Sequence, residues 1–325
     1  MLGFVARRLL ISVPVLFAAS ILVFIMVANS GDPLGDLHSR PNVPRAVIEA
    51  RRHELNLDRP VVVRYGTWAG HFLKGDFGKS IGGRDVRTEL WRRMKVTLRM
   101  VLLSVVVAVV LAVAVGVFSA VRQYSVGDYT ATFLGFLFLS TPVFWLAAIL
   151  KFRVAIPLNN YLGRTVLYTV GEETPNLTGS YVSRQWNQIG HLALPTISLA
   201  LISFAAWSRF QRSSMLDVLN SDYVRLAKAK GLPRWQVMVK HALRNALIPI
   251  VTVVSLDFAA ILGGAVVTER VFGWQGMGSM LVDGVNNVDV NVVLAWLMIT
   301  AVVVVLFNLV TDIVYGIIDP RIRYG

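Results

Sequence analysis

Apolar runs of about twenty residues recur along this chain, and they restrict its fold more than any other feature of the sequence. A helix needs about that length to cross the hydrocarbon core, where every backbone N–H and C=O must be satisfied within the segment or by neighbouring protein. Six such runs stand at residues 9–28, 96–121, 130–150, 189–207, 249–267 and 292–315. The 325 residues are 55% hydrophobic and 16% charged, too apolar for a soluble globule. The expected fold class is therefore all-α, a polytopic membrane protein with six transmembrane helices. Arg7 and Arg8 precede the first run and set the N-terminus in the cytoplasm. The run exceeds the 7–15 apolar residues of a cleavable signal peptide, so it reads as a retained anchor. Pro14 within it is tolerable because neighbouring helices can satisfy the freed carbonyl.

The polar stretches between the runs give the organisation. Residues 1–29 are the N-terminal end and first span, 30–95 an extracytoplasmic subdomain, and 96–325 a core with five further spans and a cytoplasmic loop at 208–245. In the subdomain Pro44 opens an amphipathic helix whose Val47, Ala50 and Leu55 are expected to face inward. Further outside loops are expected at 151–188 and 269–291. The loop at 208–245 carries eight Lys or Arg against two Asp, the bias of an inside loop. Asp319-Pro320-Arg321 and Arg323 put the C-terminus on the same side.

Several functions are excluded. The net charge of +13 lies in loops and at span ends, where headgroups and the orientation rule account for it, so nucleic acid is not the partner. With no Cys and five scattered His, the chain has no disulfide, thiolate site or ligand-spaced metal cluster. Gly78-Lys79-Ser80 resembles the tail of a P-loop, but Leu73 stands where the first Gly is required. Nothing else in the sequence is suited to hold a nucleoside triphosphate.

Between the fourth and fifth runs, residues 221–249 read as a basic helix-turn-helix. Ser221 is placed to cap a first helix with Asp222 in its opening turn and Lys228 and Lys230 near its end. Gly231 stops it, and Pro233 begins a second. Tyr223, Leu226 and Ala227 share one face; Trp235, Met238, Val239 and Ala242 recur at helical spacing on the second helix. Ala227, Ala229 and Gly231 leave a small side that lets another surface come close. Residue chemistry alone leaves two readings, a solvated loop or a docking element.

Within the spans, Ser140-Thr141-Pro142 predicts a kink whose hydroxyls cover exposed backbone. Asp257 lies near the middle of the fifth run, where a carboxylate costs about 2.5–3.5 kcal/mol unless it faces protein or water. It lines a pathway or is packed and hydrogen-bonded. Gly263-Gly264 permits close helix contact or closure of a gate. A proton-coupled carrier would use Asp257 as a relay but leaves the hairpin unexplained, and the absence of evident inverted repeats weakens that reading. A channel and a membrane anchor are the remaining rivals.

The hairpin resembles the EAA loop of ABC-importer permeases, in the dipeptide, oligopeptide and nickel branch. Ala227, Gly231 and Leu243 match the general pattern, while Arg225, Leu226, His241 and Arg244 depart from it. The peptide branch itself commonly reads like Asp222-Tyr223-Val224-Arg225 through His241-Ala242-Leu243-Arg244-Asn245-Ala246-Leu247-Ile248-Pro249. The resemblance extends to Gly31-Asp32-Pro33, Leu57-Asp58-Arg59-Pro60, Gly75-Asp76-Phe77-Gly78-Lys79-Ser80, Val267-Thr268-Glu269 with Phe272, and Asp319-Pro320-Arg321. It implies the permease fold and a subunit, the first of a pair, forming half of a path for short peptides, with nickel chelates, haem or other small solutes as alternatives. It implies docking of a cytoplasmic ATPase on Tyr223, Arg225, Leu226, Ala227, Lys228, Ala229, Lys230 and Gly231. The chain itself would be no enzyme and hold no cofactor: ATP and Mg would bind two partner ATPase subunits, or one fused ATPase. The other implied partners are a second permease and an extracytoplasmic binding protein meeting residues 29–95 and 269–291. Asp257, Ser140, Pro142, Gly263 and Gly264 are the candidate pathway residues.

Overall fold

Prolines, glycines and hydroxyl caps cut the chain into helices, and the computed structural model describes residues 2–38, 43–178 and 180–318. In order these are α1 (Leu2–Ala28), α2 (Gly35–His38), α3 (Arg45–Glu54), α4 (Val61–Leu73) and α5 (Val86–Val121). Then come α6 (Val126–Ser140), α7 (Val143–Ile149), a π-wound stretch π1 (Leu150–Ala155), α8 (Ile156–Leu162) and α9 (Tyr181–Leu219). The hairpin holds α10 (Asp222–Ala229), α11 (Arg234–Gln236), a second π-wound stretch π2 (Val237–Leu243) and α12 (Arg244–Ala246). The chain continues with α13 (Ile248–Phe272), α14 (Met277–Asn286) and α15 (Val290–Ile318). Among the described residues the only strand-like pairing is the single bridge Lys79–Asp85. Asp319-Pro320-Arg321 and Arg323 lie outside the described residues.

Among the described residues six helical stretches are long and apolar enough to cross a membrane: Leu10–Ala28, Val86–Val121, Val143–Leu162, Tyr181–Leu219, Arg234–Phe272 and Val290–Tyr315. Several outrun the apolar segments expected from hydropathy. The 39 residues of α9 extend for about 58 Å, nearly twice the hydrocarbon core. Residues 86–95, 208–219 and 269–272, expected in the outer subdomain or in loops, are therefore helix ends that continue past the apolar run. The third span also falls later than expected. Instead of kinking through residues 130–150, the chain breaks at Thr141, which is extended at ψ 123°, and restarts after Pro142. A proline disfavours helical geometry in the residue before it. Ser140 Oγ (3.0 Å) and Thr141 Oγ1 (2.7 Å) both donate to the Leu137 carbonyl that the break frees.

The helices form two compact units, Met1–Val96 with Gln275–Val305 and Thr97–Trp274 with Leu306–Gly325. In the first, rings fill the interior: Phe24 meets Tyr65 edge-on at 5.4 Å, Trp68 stacks on Phe72 at 5.2 Å, and Phe72 stacks on Phe77 at 4.9 Å. Polar side chains tie its turns. Asp289 caps α15 by accepting Val292 N–H (3.2 Å) and accepts Ile81 N–H at 2.6 Å, while Asn291 Nδ2 donates to Lys79 O at 2.9 Å. Asp289 is buried, and desolvation pushes its carboxyl above the usual carboxylate range. Asp76 shows the opposite: hydrogen bonds from His71 and from the Gly78 N–H hold its carboxyl below that range. In α3, Val47 and Ala50 are exposed and Leu55 falls just beyond the helix. The residue that reaches inward is Arg51, whose guanidinium donates to Ile81 O at 2.5 Å. A helix this short and polar is positioned by that hydrogen bond, not by an apolar face.

In the second unit α9 packs lengthwise on α13 and also on α6. A Cβ at Gly116 of α5 would lie 2.7 Å from Gln211 Cβ and 2.8 Å from Ser208 O, so the glycine sets the approach of α5 to α9. Asp128 at the start of α6 receives a two-pronged ion pair from Arg212 Nε and Nη2, each 2.8 Å. Ser255 Oγ donates to Asn308 Oδ1 (3.0 Å) and accepts from Thr311 Oγ1 (2.8 Å), so the polar atoms between α13 and α15 satisfy one another.

Candidate functional site

The hairpin begins where α9 ends, and its first helix is fixed from within. Val224 and Ala227, three residues apart, point inward and are buried with Ala120, Met215, Val237, Ala242 and Ala246. Ser221 stands at the N-cap position, but its hydroxyl donates back to Val218 O instead of capping. Gly231 ends the helix with φ +74°, the left-handed conformation that favours glycine, and Pro233 is the N-cap of α11 as its position in the sequence implies.

The outward side is mixed. Tyr223 (44% exposed) and Leu226 (56%) present apolar surface, and Arg225, Lys228, Ala229, Lys230 and Gly231 are exposed around them. Ala227 departs from the expected face, because its methyl closes the internal cluster at 5% exposure. Steric room at the outer surface therefore comes from Ala229 and Gly231, the latter with nothing within 4 Å of where a Cβ would stand.

The second helix also differs from its α-helical reading. Trp235 is 73% exposed, whereas Val237, Ala242, Ala246 and Ile250 are buried. The step of five from Val237 to Ala242 is that of π winding, which carries one extra residue per turn. Of the residues recurring at helical spacing, Ala242 is buried and Met238 packs on the same cluster, while Trp235, before the π-wound stretch, points outward.

Of the expected pathway residues, Asp257 is half-buried and accepts a hydrogen bond from Trp207 Nε1 at 2.8 Å; Trp207 itself is fully buried. Gly263 is exposed with open space around it, and Gly264 has Leu199 Cδ2 at 3.7 Å from the position of a Cβ. Ser140 and Pro142 are exposed at the α6–α7 break, and the α7 helix that follows packs on α13. Asp257, Gly263 and Gly264 thus lie along one helix, while Ser140 spends its hydroxyl on its own turn.

Trp207 was not singled out by the sequence reading, although the hairpin held a signal for it. Trp207 and Asp257, Leu199 and Gly264, and Ser214 and Ala246 are each nearly equidistant along the chain from Gly231. Two helices joined by a hairpin run antiparallel, so residues at equal distance from its turn face each other.

The sequence profile of the family described as binding-protein-dependent transport system inner membrane component matches residues 112–324. The chain is 41% identical over 324 residues to the oligopeptide transport system permease protein OppB of Mycobacterium tuberculosis, covering 99% of both chains. It is 40% identical over 327 residues to the oligopeptide transport system permease protein AppB of Bacillus subtilis, covering 100% of both. It is 35% identical over 340 residues to the dipeptide transport system permease protein DppB of Alkalihalophilus pseudofirmus, again covering 100% of both.

Proposed function

The chain belongs to the binding-protein-dependent inner membrane components, the permeases of ABC importers, and from that premise we propose that it forms half of an ATP-driven path for short peptides. The peptide assignment is carried by analogy with relatives that align along their whole length. A second permease completes the path, cytoplasmic ATPase subunits supply ATP and Mg binding, and an extracytoplasmic binding protein delivers the solute to residues 29–95 and 269–291. Both termini and the hairpin lie in the cytoplasm.

The observation that supports coupling best is the division of faces on α10. Val224 and Ala227 bind it to the chain's own core, leaving Tyr223 and Leu226 as an apolar patch ringed by Arg225, Lys228 and Lys230. A helix anchored on one side and apolar on the other transmits a push without loosening from its base. ATP acts through it by stabilising one access state over another, no further than its differential affinity allows.

Leu226→Glu tests the docking. The variant inserts and extracts normally, because an exposed substitution changes stability by about 0.5 kcal/mol or less, yet it loses copurification with the ATPase and ATP-dependent uptake. Unaltered uptake would remove α10 from the coupling path. Uptake that proceeds without ATP would instead favour a proton-coupled carrier.

A further inference from the structure

Asp257 sits on the border between two faces of α13. On one side Val254, Phe258, Ile261, Leu262 and Ala265 are buried. On the other Leu256, Ala259, Ala260 and Gly263 are exposed, and Gly263 has no atom within 4 Å of a Cβ position. The indole of Trp207 donates to Oδ2. Among the described residues no Lys, Arg or His pairs with the carboxylate, and its remaining lone pairs are unclaimed. An anion at this depth is costly against lipid and requires water, protein or a cation on its open side.

We propose that Asp257, held in place by Trp207, takes a primary ammonium group of the passing solute. This rests on the importer reading above. The buried indole fixes one carboxylate oxygen, leaving the other to accept from an N–H of the ammonium. The small residues beside it leave room for a backbone to lie along α13. The ammonium comes from a peptide N-terminus or from a lysine side chain. The charge of the carboxylate, beyond its capacity as a hydrogen-bond acceptor, is what the site uses.

The test uses the assembled permease–ATPase complex in proteoliposomes and a hydrophobic carbodiimide, which labels carboxyl groups within membranes and is read at Asp257 by mass spectrometry. Trialanine, N-acetyl-trialanine and N-acetyl-Ala-Lys-Ala are compared as protectants. Free trialanine at about ten times its half-protecting concentration is expected to reduce labelling by roughly tenfold, and N-acetyl-trialanine at the same concentration to leave it unchanged. Protection by N-acetyl-Ala-Lys-Ala supports the ammonium site and adds the side chain as a source; its failure restricts the site to the N-terminus. Absence of labelling without peptide that persists at mildly acidic pH, where a carboxyl can supply the proton the reagent needs, means that a neighbouring subunit covers the group and overturns the proposal. So does equal protection by all three peptides or by none. In uptake with the binding protein supplied, Asp257→Asn is expected to raise KM for trialanine by roughly tenfold with little change in kcat, and Asp257→Glu to restore it; an unchanged KM also counts against the site. If the wild-type complex, supplied with its extracytoplasmic binding protein, shows no ATP-driven peptide uptake, the importer reading fails. If uptake is intact and protection absent, only the ammonium site fails.

Discussion

The ring-filled interior of the first compact unit and the alanine-lined seat of the hairpin solve the same packing problem in opposite ways. Phe24, Tyr65, Trp68, Phe72 and Phe77 fill space between helices with large planar side chains, and Asp289, Asn291 and Arg51 then fix the turns at single points. Beneath the hairpin, Ala120, Ala227, Ala242 and Ala246 let backbones come close, with Met215, Val224 and Val237 filling the remaining space and no aromatic ring in the cluster. A ring-filled interior suffers when volume is removed. An alanine seat suffers when volume is added, and it keeps a helix rigidly attached with few rotamers to reorganise.

The largest expected effect breaks the first half of this contrast. Trp68→Ala is expected to cost about 3–5 kcal/mol, seen as lost hydrogen-exchange protection across α4; a loss under about 1 kcal/mol would show that the rings are not the core of that unit. Next, Ala242→Leu should cost about 1–3 kcal/mol by overpacking, measured as exchange at the amides of α10 and π2. If it is tolerated, the hairpin is less tightly seated than its burial indicates.

A smaller effect separates the polar ties from both interiors. Burial raises the Asp289 carboxyl, so its contribution is fully present below the ordinary value of 3.8 and is lost as pH rises through the higher folded-state value. Asp76 is lowered, so its contribution holds above 3.8 and is lost as pH falls through the lower folded-state value. Protection of the Ile81 amide should therefore weaken between acid and neutral pH, and Asp289→Asn should flatten that dependence with a net cost of about 1 kcal/mol at neutral pH. A slope that persists in the variant would assign it to another group. The smallest stability change is that of Leu226→Glu, whose effect appears in coupling.

These contrasts also explain which features could be read in the sequence. The spans and the Gly231 stop were legible because hydropathy and left-handed geometry are local properties. Helix ends were not, since α9 runs beyond its apolar segment at both ends and α5 begins before its own, and a charged turn is as helical as an apolar one. Arg51 and Asp289 were missed for a different reason: each is defined by a backbone atom of the 78–85 turn, remote in sequence. Asp257 stood out by its cost in a membrane, but Trp207 required knowing which helices lie side by side. Trp235 shares helical spacing with Ala242 but not its burial, because the sequence does not announce π winding.

That winding has a consequence for how the hairpin tolerates change in length. Between Val237 and Ala242 the helix carries one residue more than its inward stripe needs. Removing a residue from an ordinary helix rotates everything beyond it by about 100°. Here the same deletion would relax the coil to regular pitch and leave Ala246 and Ile250 on the inside, making this one of the few places where the chain can be shortened without turning its neighbours outward.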